Sequence, residues 1–541
     1  MSNHSFKILS EATTVEELTK ELSGSDMPFE VIRNTAAQIL NSGARFLILE
    51  KSYLDRDFSD LYSNYYSRLF QQFPRACKRY HFFKRDLTDI LSRGDSAEII
   101  QSLEDTSSAG DYIGFVVIRP TLHAPLARAV LKMAPGANDA VAHVLVKSGY
   151  KAHLFGAELE IEGIPLTQQD SRVGACAQAS IWMAARHFTE KHGNVWASMA
   201  DITRHATKQA DLTTSNQLPA GASFLNGNNM IRAISAIDRK PLSYTATPVR
   251  DPATNTLTYT WSSLAPTHAV INRYVDSGIP VILGFGSWTG GSVGHAVLAV
   301  GHVQSRISEM DFQKSNIEKP TRSIFCSHFL INDDQRGAYR YVPIAESTTP
   351  ELETPFNLKD HLQYIIVPLP DKVFLTGEEA ETIAWDTLEN YYLPMHNDYA
   401  AKVGFGPLAE IGTEIAGRYN DVIARTYLTY GWKYKKRLLC GDTTAKVKAE
   451  ILDMRLPKYV WVTEFGFFQD LNHLNGDERS IFGHFVADAT TSRNNPCRLF
   501  FHAPGFMAIW QQNQTGHTSQ FDRELFILDS HTNYRPKIRG Q

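Results

Sequence analysis

Apolar and polar positions change rhythm along the chain. Near the start, "ARFLILEKSYLD" and "YIGFVVIRP" carry short apolar runs that predict strands. Between them, "DFSDLYSNYYSRLFQQF" repeats aromatic residues at helical spacing, which reads most simply as a core-facing helix. Punctuation thickens over "KMAPGANDAVAHVLVKSGYKAHLFG" and places a boundary near residue 150. Beyond it, the strand-like "AHLFGAELEIEGIPL" leads into "GACAQASIWMAARHF". There Ala177, Ile181, Ala184, Ala185 and Phe188 share one face, and nothing from Ala175 to Phe188 breaks a helix. Further helices are predicted in "NGNNMIRAISAI" and "HAVINRYVDSG". The apolar run "IPVILGFG", the glycine-rich turn "SWTGGSVG" and the strand-like "HAVLAVGHV", "SIFCSHFLIND", "YRYVPI" and "HLQYIIVPLP" follow.

Helices first and antiparallel strands after them predict an α+β domain with segregated layers over residues 151–372. Residues 1–150 and 373–541 read as flanking mixed α/β domains, the second opening on the helix "GEEAETIAWDTLENYY" and including the strand-like "LPKYVWVTEFG" and "GHFVADATTS". There is no internal repeat, low-complexity tract or Pro-, Gly- or Ser-rich linker, so the parts are expected to pack together.

Composition narrows the class of function. The 541 residues exceed one ordinary core, and 43% hydrophobic with 21% charged residues describes a soluble globular protein. A net charge of -4 argues against broad binding to nucleic acid or acidic lipid. No apolar run approaches the ~20 residues of a membrane span. The N-terminus "MSNHSFKILSEATTVEELTK" lacks the basic and apolar blocks of a secretory signal, so a cytoplasmic location is expected. The five cysteines are scattered, odd in number and free of CxxC pairs, which argues against a disulfide framework or zinc site. Neither a phosphate loop, HExxH, nor GxGxxG after a strand occurs, so no cofactor and no metal are expected; "GFGSWTGG" runs from strand to strand and makes no dinucleotide cradle.

Cys176 changes the picture. Gly174 and Ala175 lead into it, so it opens the helix, where unpaired N–H groups and the positive end of the helix dipole favour a thiolate. A thiol of pKa ~8.5 falls to roughly 3.5–7.5 in such places. A small buried apolar residue is the plain alternative, and the other groups that thiol chemistry needs decide between them. Among 19 histidines, His295 stands out because it opens an apolar strand after a turn containing Gly290, Gly291 and Gly294. "HFLINDDQRG" offers Asn332, Asp333 and Asp334 at a strand end as candidates to orient a base. Gln168 and Gln169 lie eight and seven residues before Cys176, where an amide can join the Cys176 N–H as an oxyanion donor.

Taken in order, these parts resemble the papain-like cysteine peptidase superfamily, closest to its bacterial leader-processing (bacteriocin-processing) branch. "QQDSRVGACAQASIWMA", "SGIPVILGF", "GHAVLAVGH" and "FLINDDQRG" carry the resemblance, which is limited to about residues 150–372. It implies a papain-like fold, with Cys176 on the helix layer as nucleophile and His295 on the antiparallel sheet as general base. Asp333, followed four residues on by Gly337 as in that branch, is then the orienter, with Asn332 as the alternative. The family's oxyanion glutamine lies six residues before the cysteine, where this chain has Asp170, so Gln169 fits with a loop one residue longer. "QSRISEMDFQKSNIEKPTR" reads as a polar loop inserted between His295 and Asp333 that alters substrate access.

The expected function is thus an intracellular cysteine peptidase, in a bacterial setting by resemblance, acting on a protein or peptide substrate through a thioester. A transglutaminase-like or modifier-deconjugating enzyme would use the same three groups. From another class, a papain-fold scaffold would bind protein partners through its flanks; the intact Cys–His–Asp set argues against it.

Overall fold

The computed structural model describes residues 3–25, 29–93, 95–121, 123–134, 141–170, 175–208, 217–218, 221–222, 225–250, 257–261, 267–286, 294–345, 353–394, 413–439, 445–474, 479–492, 497–503, 506–510 and 521–525. Glycines 174, 290 and 291 of the sequence reading, and Cys440, lie outside these residues.

The chain opens on a five-stranded antiparallel sheet in sequential order: His4–Ile8, Phe46–Tyr53, Cys77–Phe83, Tyr112–Ile118 and Leu126–Leu131. Its unbroken apolar runs follow from burial on both faces. Leu47 and Leu49 join the core with Leu18, Leu22, Val31 and Ile32 of helices Val15–Ser23 and Glu30–Asn41. Phe46 and Ile48 face the other way, into a core with Phe58 and Leu61 of helix Arg56–Asn64. The strand-like segment after residue 147 is a hairpin, Ser148–Leu154 with Ala157–Gly163, whose alternate residues are buried. Tyr150, Leu154 and Ile161 from it complete that second core, so residue 150 lies inside a strand packed beneath the first sheet.

The central sheet has seven strands, all antiparallel. Its order is Lys240–Thr245, Leu362–Leu369, Val281–Phe285, His295–Gln304, Cys326–Asp333 and Gly337–Pro343, and Val141–Val144 also pairs with the His295 strand. Helix Cys176–His192 lies against the His295 strand and is buried from Ala177 through Phe188, with Gln178, Ser180, Arg186 and His187 among the buried side chains. The Ser180 hydroxyl bonds the Ala296 carbonyl at 3.0 Å and fixes the helix register on the strand.

Helix Gly377–Thr387 then leads to a six-stranded sheet, Val422–Tyr430, Tyr459–Phe467, Gly483–Asp488, Arg498–Ala503, Phe506–Trp510 and Phe521–Leu525. Every pairing in it is antiparallel. The flanks therefore correct the sequence reading: they are α+β rather than mixed α/β, because among the described residues successive strands reverse direction and no helix crosses over to a parallel neighbour.

The inserted segment is a second correction. It forms helix Glu309–Ser315 and buries Phe312 against Phe468, with stacked rings 4.4 Å apart. Ile307 and Asn472 exchange two hydrogen bonds of 3.2 and 2.8 Å. The segment leaves the Gln304 end of its strand, roughly 30 Å from His295 at strand rise. It docks the C-terminal sheet and stands away from the thiol. Among the described residues no helix is long and apolar enough to cross a membrane.

Candidate active site

Cys176 is the first residue of its helix, as the sequence predicts. The cap residue, Ala175, has no side chain to accept the first-turn N–H groups, a choice that costs about 1 kcal/mol relative to Ser or Asp. Gln178 Oε1 instead accepts the Ala175 N–H at 2.9 Å. The thiol is half-buried, and its sulfur accepts a hydrogen bond from the Ala296 backbone N–H at 3.3 Å. Thus the residue next to His295 holds the sulfur at the start of the strand.

Gly294 lets the start of this strand lie close to its neighbour, since a Cβ there would meet the Phe285 carbonyl oxygen at 2.5 Å. His295 Nε2 bonds Asp333 Oδ1 at 3.0 Å, and the Cys176 thiol interacts with the same imidazole. Burial opposes a charged imidazole, but the Asp333 carboxylate, the hydrogen bond to it, the Cys176 thiol and Asp334 outweigh burial and raise the His295 pKa well above its ordinary value. The mirror effect appears on Asp333: burial raises its pKa, but the charge and hydrogen bond of His295 and the Gln335 N–H bring it below the ordinary range.

Asp333 Oδ1 also accepts the backbone N–H groups of Gln335 and Arg336 at 2.8 and 3.2 Å. The same carboxylate thus shapes the turn that ends at Gly337, whose φ of +121° is open to glycine and strained for other residues. Asn332 faces elsewhere: its Nδ2 donates to the Pro165 carbonyl and its Oδ1 accepts from Tyr339 N–H. Strand alternation separates the two neighbours in this way.

Of the glutamines, Gln168 spends its side-chain oxygen on the Leu126 N–H at 3.2 Å and is buried. Gln169 is half-buried, and its backbone N–H acts on the carboxyl of Asp334. Asp170, at the family's glutamine position, accepts the Tyr66 hydroxyl.

Three further residues contribute: Asp334, one of the candidate orienters of the sequence, and two to which the sequence assigned no role. Asp334 is fully buried with Oδ1 4.0 Å from His295 Nε2. Burial and the Asp333 charge push its pKa up to about 7, against the pull of His295 and the Gln169 N–H. Phe356 sets its ring edge-on to His295 at 6.0 Å and shields the ion pair from water. Tyr364 lies across Gly284 with its hydroxyl on Met230 Sδ, and its pKa is raised by burial and by Cys176. No motif marks the last two, because only the fold brings them to the thiol.

A Cβ on Gly284 would come within 1.9 Å of the Tyr364 ring. Gly284→Ala is therefore expected to lose about 1–3 kcal/mol in urea unfolding. Wild-type stability in that variant would remove the ring from the strand surface.

The ligand atoms of His295, Asp333 and Asp334 lie within 4.8 Å of one another, close enough to hold a cation. The three N–H groups on Asp333 Oδ1 already saturate that oxygen, however, and suit an ion pair better.

A second Cys–His–Asp set occupies the far end of the same two strands. His302 Nε2 bonds Asp276 Oδ1 at 3.0 Å and interacts with Cys326, whose sulfur accepts from Asn272 Nδ2 at 3.3 Å. Cys326, His302 and Asp276 are all buried, and Arg425 bonds the other Asp276 oxygen at 2.7 Å, tying the central and C-terminal sheets. The Cys326 thiol is buried where Cys176 is half-buried, so access distinguishes the two thiols. No model of a known protein family matches the chain, and no curated protein sequence matches it; the reading of the site rests on its own residues.

Proposed function

We propose that the chain is a cysteine peptidase, a thiol-dependent amide hydrolase acting on a protein or peptide substrate. One observation carries the reading: an accessible thiol at a helix N-terminus shares its site with an imidazole whose far nitrogen is held by a buried carboxylate. The raised His295 pKa favours an imidazolium beside the Cys176 sulfur.

In the proposed reaction, Cys176 Sγ attacks the scissile carbonyl carbon and the carbonyl π electrons move to oxygen. The Cys176 backbone N–H, at the positive end of the helix, and the Gln169 side chain are the proposed oxyanion donors. Collapse breaks the C–N bond, and His295 Nδ1 gives its proton to the leaving amine. Water, deprotonated by the now neutral imidazole, then cleaves the thioester and restores the thiol. Asp333 holds the Nε2–H throughout, so Nδ1 stays on the thiol. A papain-like fold for the central domain and a reducing cytoplasm for the free thiol belong to the same proposal.

Alkylation with iodoacetamide at neutral pH, mapped by mass spectrometry, tests it. Cys176 is expected to react first: the Cys77 thiol is pushed up to about 12, chiefly by burial, and burial also raises Cys497. His295→Ala should slow the Cys176 reaction by about tenfold or more, as the imidazolium beside the sulfur is lost. Equal rates at Cys176 with and without His295 would sink the ion pair.

A further inference from the structure

The other end of the Cys176 helix carries a different chemistry. A half-open cavity of about 110 Å³ lies there, between the helix and the C-terminal sheet. Lys191, His192, Arg239 and Lys433 line it, beside the rings of Tyr430 and Tyr459. One acid, Asp276, also reaches the lining, but His302 and Arg425 take both of its oxygens. Two further basic residues line the wall: Lys147 is paired with Glu162 at 2.7 Å, and His187 is buried with its pKa held well below the ordinary range, chiefly by burial.

A helix C-terminus with a half-charge of roughly -0.5 accounts for one nearby cation. It does not account for three, Lys191, Arg239 and Lys433. Their mutual repulsion is visible in the groups themselves. Burial and the charges of Arg239, Lys191, Lys433 and Lys458 hold the His192 imidazole below its usual range, and burial with Lys191 lowers Lys433. Arg239 is nearly buried; one guanidinium nitrogen donates to Asn194 Oδ1 at 2.6 Å and the group lies over Phe188 at 4.0 Å. Its Nε is buried with no partner among the described residues, an unusual expense for a guanidinium inside a protein.

We propose that this cavity binds a phosphoanion, either free phosphate or pyrophosphate or the phosphate end of a nucleotide. The cavity has room for the several waters that a tetrahedral oxyanion would displace. At its rim Trp432 is exposed and stacked on Tyr430 with ring centroids 6.2 Å apart, a face on which a nucleotide's base would lie. Arg239 and the two lysines would supply the charge-assisted donors.

The test uses the full-length protein in EDTA, titrated with sodium pyrophosphate against sodium chloride at equal ionic strength. Pyrophosphate should raise the melting temperature saturably, and calorimetry should give a Kd that weakens by tenfold or more in Lys191→Ala/Lys433→Ala. Both lysines are exposed, so the variant should fold; freed of like-charge repulsion, it should melt no lower than wild type without anion. Adenosine diphosphate binding more tightly than pyrophosphate assigns the site to a nucleotide; equal or weaker binding assigns it to the free anion. The absence of a saturable rise, or the same Kd in the double variant, overturns the proposal. Cys176→Ala protein should bind unchanged, which separates this site from the thiol chemistry.

Discussion

Replacing Cys176 with alanine should abolish amide cleavage while leaving the fold intact. Alanine is the best helix former and is small, so the first turn keeps its geometry, and the lost contact is one sulfur accepting from Ala296 N–H. Stability should change by less than about 1 kcal/mol, on the scale of a single hydrogen bond. Turnover should fall by about 10³-fold or more, because the thioester cannot form and oxyanion donors alone give little rate. Cys176→Ser sharpens the test: its hydroxyl fits the same space but does not ionise near neutral pH. Wild-type and variant proteins incubated with a proteome-derived peptide library, with new termini read by mass spectrometry, give the comparison. Cleavage by wild type that disappears in both Cys176 variants and in His295→Ala supports the peptidase; identical termini from wild type and Cys176→Ser would leave the scaffold reading in its place.

What the sequence made legible follows the range of the interactions involved. The start of the Cys176 helix was readable because local rules set it: small residues before, apolar spacing after, no breaker within. His295 and Asp333 were readable at strand ends, because glycine and Asp-rich turns mark where strands stop. The separation of Asn332 from Asp333 is likewise a consequence of strand period. The direction of the flanking sheets was not readable, since apolar runs buried on both faces look the same in parallel and antiparallel sheets. The inserted segment misled because its polar residues dominate the composition, while one buried aromatic, Phe312, decides where it docks. Tyr364, Phe356 and the carboxyl of Asp334 gain their positions from pairings tens to hundreds of residues apart, and no local pattern encodes those.

The carboxyl pair offers the second large effect, in a form specific to this site. Asp333→Asn keeps the side chain's shape, and its amide oxygen can still accept from His295 Nε2 and the two turn N–H groups; what is lost is the negative charge. His295 loses the strongest of the influences that raise its pKa, so the imidazolium is easier to deprotonate. The imidazolium must survive to protonate the leaving amine, and the alkaline limb of kcat/KM marks its deprotonation. In wild type that limb should lie well above pH 6.5, and in Asp333→Asn it should move to lower pH. The loss at neutral pH should be about 10²-fold, within the usual span of general acid–base catalysis. Asp334 limits the damage. Its pKa of about 7 is raised partly by Asp333, so removing that charge lets Asp334 ionise at lower pH and support His295 from 4.0 Å. Asp334→Asn alone should lower the alkaline limb modestly, whereas Asp333→Asn/Asp334→Asn should lose more than the product of the single losses. Equal pH profiles for wild type and the double variant would mean that neither carboxylate sustains the charge on His295, and the ion-pair mechanism would fail with them.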